Sequence, residues 1–412
     1  MLTSEDDVDE LADDGFRIVD NQTVCLHCIH DDGLREAVGT KLAEWQCSFC
    51  GTTADEATDQ PIAANFEDFM IIVMEALRFV YGKVEDNLYW DSEDRQWMGG
   101  STVSSTEAAY EHCSGDVTDP VMEALAAAIT YDEWTTENFL ELRPDEALRF
   151  TWESFLDKVK YRSRFVFLSA GEEPSDRPDE YTTEQFLQKI DTVLRDHGCL
   201  ASVPAGRTFW RGRLAGDLTE AGTWNSAAHL GPPPRDRAAN SRMSPAGITM
   251  FYGSNDIETA IAEISAHSKE PYAVVGRFET VRDLTLLDLT TLPALPSLYT
   301  PAGRTRERYD LVFLRRFARD LAKPIALDGR EHIEYVPTQV ITEYLRYISP
   351  LGVNGILFRS AQNGGVCCVL FCDASACLDP GQQPEPFVEP LLVLHTDSVT
   401  TLDVPLAHES AG

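Results

Sequence analysis

Among the residues whose types and spacing could do chemistry, two Cys-x-x-Cys pairs come first. They are Cys25-Leu26-His27-Cys28 and, after a gap of eighteen residues, Cys47-Ser48-Phe49-Cys50-Gly51. Four thiolates spaced in this way can take the corners of a tetrahedron around Zn2+, and Gly51 permits the tight turn of the second knuckle. The spacing predicts a four-cysteine zinc ribbon over residues 23–56, with Cys25, Cys28, Cys47 and Cys50 as the metal ligands. Four sulfur ligands leave no open position for a reactive water, so the metal is structural and replaces the core that so short a segment lacks. His27 and His30 flank the first knuckle, beside a shell that four cysteines already complete. Cys367, Cys368, Cys372 and Cys377 form a later cluster, but Cys367 and Cys368 fall on opposite faces of a strand and read as core thiols.

A second constellation places polar groups at strand ends and turns. Its fragments are Phe209-Trp210-Arg211-Gly212-Arg213, Arg242-Met243-Ser244-Pro245-Ala246-Gly247, Phe251-Tyr252 followed by Glu263, and Phe358-Arg359-Ser360. Taken singly, each has a plain structural reading. Glu263, in Ile261-Ala262-Glu263-Ile264, suits the solvated side of an amphipathic helix; Arg211 suits a strand surface, and Tyr252 a core.

Their order along the chain says more. The run from Trp210 to Asp373 resembles the RES domain, named for an Arg, a Glu and a Ser and found in bacterial toxins that consume or transfer from NAD. The resemblance includes Pro232-Pro233-Pro234, Ala260-Ile261-Ala262-Glu263, Glu334-Tyr335-Val336-Pro337-Thr338-Gln339 and Gly355-Ile356-Leu357-Phe358-Arg359-Ser360. It implies an α+β domain over residues 201–379, resembling the ADP-ribosyltransferase fold, with Arg211, Glu263 and Ser360 as the name-giving residues and NAD as substrate. NAD carries a pyrophosphate, which suits the guanidiniums of Arg211 and Arg242, and a nicotinamide ring, which suits Tyr252. Breaking the nicotinamide–ribose bond develops positive charge at the sugar, and a fixed carboxylate such as Glu263 stabilises it. Ser360 would hydrogen-bond the carboxamide or hold Glu263. ADP-ribose would pass to water, phosphate or a protein target, in a toxin or defence effector that a cognate antitoxin or other regulatory protein holds in check. The rival reading is an interaction protein, built of zinc ribbon and helical domain, whose RES-like part is degenerate or regulatory.

Residues 57–200 look like the HEPN-type helical domain that precedes some RES domains. RNA-cleaving members use an Arg followed four to six residues later by His, and no His of this chain has an Arg at that spacing, so a binding or regulatory role is expected. The elements behind these assignments follow from periodicity. Phe66, Phe69, Met70, Val73, Leu77 and Val80 recur at helical spacing, as do apolar residues over 121–129. Further helices are expected over 144–155 and 182–195, the second opened by a Thr182/Gln185 capping box. Residues 90–116, rich in Gly, Ser and charge, read as a loop. After residue 202 short apolar strands alternate with helices at 256–266, 309–321 and 337–347, and Asn363-Gly364-Gly365 marks a hairpin. The arginine-dense run 304–319 reads as a solvated helix face. Residues 380–412 read as a Pro-rich tail with a short edge strand over 391–394.

The charge balance limits the partners. With 68 Asp+Glu against 34 Lys+Arg, the net charge is −34, a field that argues against nucleic acid and anionic membrane as partners. Residues 1–22 form an acidic arm, expected to be disordered, rather than a charged-then-apolar leader. No run approaches the ~18 apolar residues of a membrane span. Together with the paired thiols these features lead to an expected cytoplasmic location.

Overall fold

The computed structural model describes residues 15–404 except 18, 20, 56, 58, 59, 132, 137–143, 166–180, 267–269 and 324–328. The acidic arm expected over residues 1–22 lies, through residue 14, outside the described residues. The chain divides into two compact units: residues 1–147 with 294–312, and residues 148–293 with 313–412.

In the first unit, β1 (Thr23–Cys25) pairs antiparallel with β2 (Ala63–Asn65) and so closes the cysteine-bearing segment at its two ends. Helix α1 (Asp32–Gly39) starts at Asp31, whose carboxylate accepts from the Leu34 amide. Helix α2 (Phe66–Val80) buries Phe66, Phe69, Met70, Val73 and Leu77, and carries Glu67 and Asp68 in its first turn and Arg78 in its last. This is the apolar stripe expected from the sequence, with charges that suit the helix dipole. Residues 90–116 are not a loop. They contain most of a hairpin, in which Tyr89–Asp91 pairs with Gln96–Met98, and α3 (Ser105–Cys113). Trp90 and Trp97 meet edge to face across the hairpin at 5.0 Å. A Ser104/Glu107 capping box starts α3, a signal that the surrounding Gly and Ser conceal. Helix α4 (Asp119–Ala128) buries Val121, Met122 and Leu125. The core of this unit also takes in Leu298 and Tyr299 from the distant segment 294–312. The Tyr299 hydroxyl donates to Asp116 at 2.8 Å and the Ser297 hydroxyl to Asp31 at 2.7 Å. Arg304 donates to Glu75 at 2.8 Å and to the Leu298 carbonyl at 3.0 Å, so this end of the arginine run secures a loop instead of merely facing solvent.

The second unit begins within α5 (Pro144–Asp157) and continues with α6 (Thr183–Asp196), opened by the expected Thr182/Gln185 capping box. Its sheet comprises β3 (Leu200–Val203), β4 (Thr208–Ala215), β5 (Phe251–Ser254), β6 (Tyr272–Thr280), β7 (Leu284–Asp288), β8 (Gly355–Arg359), β9 (Val366–Leu370), β10 (Cys377–Leu378) and β11 (Leu392–Asp403). Between β5 and β6 lies α7 (Ile257–Ser265). Helices α8 (Arg306–Ala322), of which residues from 313 belong here, and α9 (Val336–Tyr347) separate β7 from β8. The nine strands run in the order β10-β11-β6-β4-β5-β9-β8-β7-β3, antiparallel except at β7–β8 and β10–β11. The C-terminal stretch expected as a tail supplies β11, a twelve-residue strand whose register against β6 runs from Leu392–Thr280 to Asp403–Tyr272. Its Thr- and Ser-rich second half pairs through backbone rather than apolar side chains, which is why hydropathy marks only its start.

A polar pin joins α6 to α9. Asp191, 3 % exposed, accepts from the Tyr344 hydroxyl and, at 2.7 Å, from Ser349. Burial and the neighbouring carboxylate push the Tyr344 phenol well up, so it remains a donor. Asp191→Ala orphans both donors in a buried site, and urea unfolding should show a loss of roughly 2–4 kcal/mol; an unchanged midpoint would show that the pin adds nothing.

Candidate functional site

The four cysteines come together as the spacing predicts. Their Sγ atoms all lie within 4.8 Å of one another, and no histidine joins the cluster among the described residues. Cys25–Cys28, Cys25–Cys50 and Cys28–Cys47 are separated by 3.9, 3.5 and 3.8 Å. A tetrahedron with metal–sulfur bonds of about 2.3 Å has edges of about 3.8 Å, so the donor set fits Zn2+. The second knuckle turns at Gly51, φ +73°, whose amide closes on the Cys47 carbonyl at 3.0 Å rather than reaching a sulfur. Amides aimed at sulfur come instead from His27 and Cys28 toward Cys25, and from Thr52 toward Cys50. The Thr52 hydroxyl and amide draw the Cys50 thiol down to about 6, which favours a thiolate at neutral pH. His30 instead meets the Gly115 carbonyl at 3.2 Å.

In the second unit Arg211, Tyr252 and Glu263 line one cavity, and Ser360 reaches it through its bond to Glu263. Strands β4 and β5 share a single pairing, Ser254 with Trp210, and a cavity of about 90 Å3 lies beside it. Its lining includes Trp210, Arg211, Tyr252, Glu263, Phe358 and Cys367. Asp256 caps α7 by accepting from the Thr259 amide at 2.7 Å, which sets Glu263 two turns into the helix, as expected. Ser360 ends β8. It is 5 % exposed, its amide donates to Gly365 at 2.7 Å, and its hydroxyl donates to Glu263 Oε1 at 2.5 Å. Of the two roles considered for Ser360, the structure therefore displays the contact with Glu263. The turn after Ser360 lies hard against α7: Asn363 donates to Thr259 at 3.2 Å, and a Cβ on Gly365 would sit 2.0 Å from the Thr259 hydroxyl. Only glycine admits that approach.

Arg211 donates through Nε to the Leu230 carbonyl at 2.8 Å and through Nη1 to the Tyr252 carbonyl at 2.6 Å. Its guanidinium stands 5.4 Å from the Phe251 ring centroid. Burial, with the nearby Arg213 charge, lowers its pKa to about 10, so it stays cationic at neutral pH. No carboxylate pairs with it among the described residues, which leaves its charge uncancelled. The Tyr252 hydroxyl meets the Met243 amide at 3.2 Å and the Ser244 hydroxyl at 2.9 Å, and burial pushes the phenol up.

Arg242 stands apart from the other candidates. Its guanidinium caps α8, donating to the Ala322 carbonyl, and it does not line the cavity. The physical reason is the unfilled carbonyls at a helix end, which attract a cation. Sequence reasoning missed the residues that hold the Arg242 loop. Thr338 donates to the Arg242 carbonyl, and Gln339 to Ser241 at 2.8 Å and to Asn240 at 2.8 Å. The signal was present in Val336-Pro337-Thr338-Gln339, a helix start with two hydrogen-bonding side chains in its first turn. A larger cleft in the same unit, about 430 Å3 and bordered by Arg282, Arg346, Asn354 and Asp373, contains none of the residues that the resemblance assigns to NAD or to catalysis.

Residues 41–173 match the HEPN/RES N-terminal domain 1, and residues 212–388 match the RES domain. Among solved structures, the crystal structure of the M. tuberculosis MbcT-MbcA toxin-antitoxin complex is similar at 14 % identity, over 52 % of this chain and 91 % of that one. Its TM-score of 0.26 carries no argument about fold or function. No curated protein matches the chain. None of the helices among the described residues is long and apolar enough to cross a membrane. On the two family matches the chain belongs to the RES family, as a multi-domain member with an HEPN/RES N-terminal domain 1 ahead of its RES domain.

Proposed function

We propose that the chain is an NAD-consuming enzyme that breaks the nicotinamide–ribose bond and passes ADP-ribose to water, phosphate or a protein target. The observation that carries this reading is the carboxylate of Glu263, exposed toward solvent yet fixed by the buried Ser360 hydroxyl at 2.5 Å, in a small cavity whose lining also includes Arg211 and Tyr252. Cleavage develops positive charge at the anomeric carbon, and a carboxylate held in place needs no reorganisation to meet it. Arg211 offers its remaining N–H groups to a phosphate oxygen. Tyr252, hydroxyl pinned by Ser244, presents a ring of fixed orientation to the nicotinamide. At about 90 Å3 the cavity is far smaller than pockets that enclose a drug-sized ligand, so one end of the dinucleotide enters and the rest stays outside. A toxin or defence role, with a regulatory protein that covers the cavity mouth, follows from the same reading. A structural zinc ion on Cys25, Cys28, Cys47 and Cys50, which when bound crosslinks the two knuckles, is a separate proposal drawn from the grouping of their sulfurs.

Wild-type protein incubated with NAD should release nicotinamide, resolved by chromatography. Glu263→Ala should slow release by about 10²–10³-fold, the cost of removing one preorganised stabilising group, in protein that still unfolds in one cooperative transition. Absence of turnover with NAD alone, with phosphate and with cell extract would favour the interaction-protein reading. For the metal, elemental analysis of anaerobically purified protein should find roughly one zinc per chain, and Cys28→Ser should lose it and melt earlier. Metal-free protein with an unaltered melting curve would contradict the assignment.

A further inference from the structure

We propose that Arg277 binds the diphosphate of the dinucleotide, the part that stays outside the small cavity, and so selects NAD over nicotinamide ribosides that lack it. The proposal rests on the NAD reading given above. Arg277 lies in β6 directly opposite Trp210 of β4, and Trp210 lines the cavity. Side chains of a directly opposed antiparallel pair share one face of the sheet. The pair two positions along, Val275 with Gly212, identifies that face: a Cβ on Gly212 would sit 2.7 Å from Ile264 of α7 and 2.7 Å from Val275. Arg277 therefore projects from the face that α7 covers, the helix that carries Glu263, and stands beside a residue of the cavity wall.

Its guanidinium has no partner. Nε is buried without an acceptor, and the half-buried side chain forms no ion pair or hydrogen bond through its other N–H groups among the described residues. Two carboxylates lie near it in the sheet, and neither is used. Glu279, two residues on, is taken by His395 at 2.8 Å. Asp397 is exposed in a bulge of β11, between the pairs Arg277–His395 and Val275–Thr400, and forms no ion pair with Arg277. In the same bulge the Ser398 hydroxyl accepts from the Arg277 amide at 2.9 Å, so the backbone is satisfied where the side chain is not. A buried donor left unpaired is costly in the free protein, and an oxygen of a bound phosphate, accepting from the guanidinium fork, offsets that cost. In NAD the diphosphate follows the nicotinamide ribose. A ribose held at Glu263 therefore brings the diphosphate to the cavity wall, where Arg277 is the cation without a partner.

The test separates phosphate binding from packing. Arg277→Met keeps an apolar stem and removes the charge, whereas Arg277→Lys keeps the charge and loses the fork. With NAD, Arg277→Met should raise KM for nicotinamide release about 10–100-fold, the loss of a hydrogen bond between charged groups, with kcat unchanged within about twofold. Arg277→Lys should raise KM about fivefold. With nicotinamide riboside, which has no diphosphate, both variants should stay within about twofold of wild type in kcat/KM. An equal loss with both substrates would mark a structural defect and overturn the proposal, as would a KM for NAD that does not rise. A second readout needs no turnover. In isothermal titration calorimetry, ADP-ribose should bind wild type at least about tenfold more tightly than Arg277→Met. Equal affinities, or no binding by wild type, would overturn the proposal even if nicotinamide is released. Weakened ADP-ribose binding by the variant of a protein without NAD turnover would uphold the phosphate contact and sink only the assigned reaction.

Discussion

The second unit depends on one buried cation. Arg211 sits in mid-strand with its guanidinium turned inward, where an unpaired charge costs several kcal/mol in lost hydration. Two backbone carbonyls offset that cost, and they come from different parts of the chain: Leu230, in the short helix Ala227–Leu230, and Tyr252, in β5. Arg213, two residues on, reaches the Gly231 carbonyl at 3.1 Å and repeats the attachment. The arginines of β4 thereby fix the segment that follows it, and Tyr252 is placed by the same contact. Because the partners are carbonyls, the fixing leaves the positive charge intact. Arg211 and Glu263, the latter held by Ser360, are both among the residues that line the cavity.

What the sequence revealed of this arrangement follows the range of the interactions. Signals written within one turn or one hairpin were readable: the α2 stripe, the Thr182/Gln185 cap, the Asn363-Gly364-Gly365 turn and the two cysteine knuckles all stand where local chemistry places them. The long-range contacts were legible only through the family resemblance. Nothing in Ser360 alone says that its hydroxyl meets Glu263 across 97 positions of chain, and the resemblance offers that contact as one of two roles. Arg242 illustrates the converse, since an arginine beside a recognisable loop motif is drawn to the nearest uncapped helix end, and that end belongs to a helix some eighty residues away. Residues 90–116 fail for a different reason: composition there argues for a loop, while a single Ser104/Glu107 pair is enough to start a helix.

The four-cysteine cluster and the cavity contrast in how they hold their side chains. In the cluster, β1 and β2 close the ends and local amides at His27, Cys28 and Thr52 turn toward sulfur, so the thiols are set by short-range geometry. In the cavity, each group arrives from a separate strand or helix, and alignment is a property of the whole sheet. Small shifts in strand register would therefore separate Glu263 from Ser360.

Leu298 and Tyr299 bear on how the protein is made. Both lie far along the chain, yet they sit in the core of the first unit, where Tyr299 bonds Asp116. Chains fold as they leave the ribosome, amino-terminal units first. Here the first unit cannot close its core until residue 299 has emerged, by which point Arg211, Tyr252 and Glu263 have been synthesised. The order of translation thus ties completion of the amino-terminal core to the presence of most of the cavity, so that a chain interrupted near its middle yields neither unit whole.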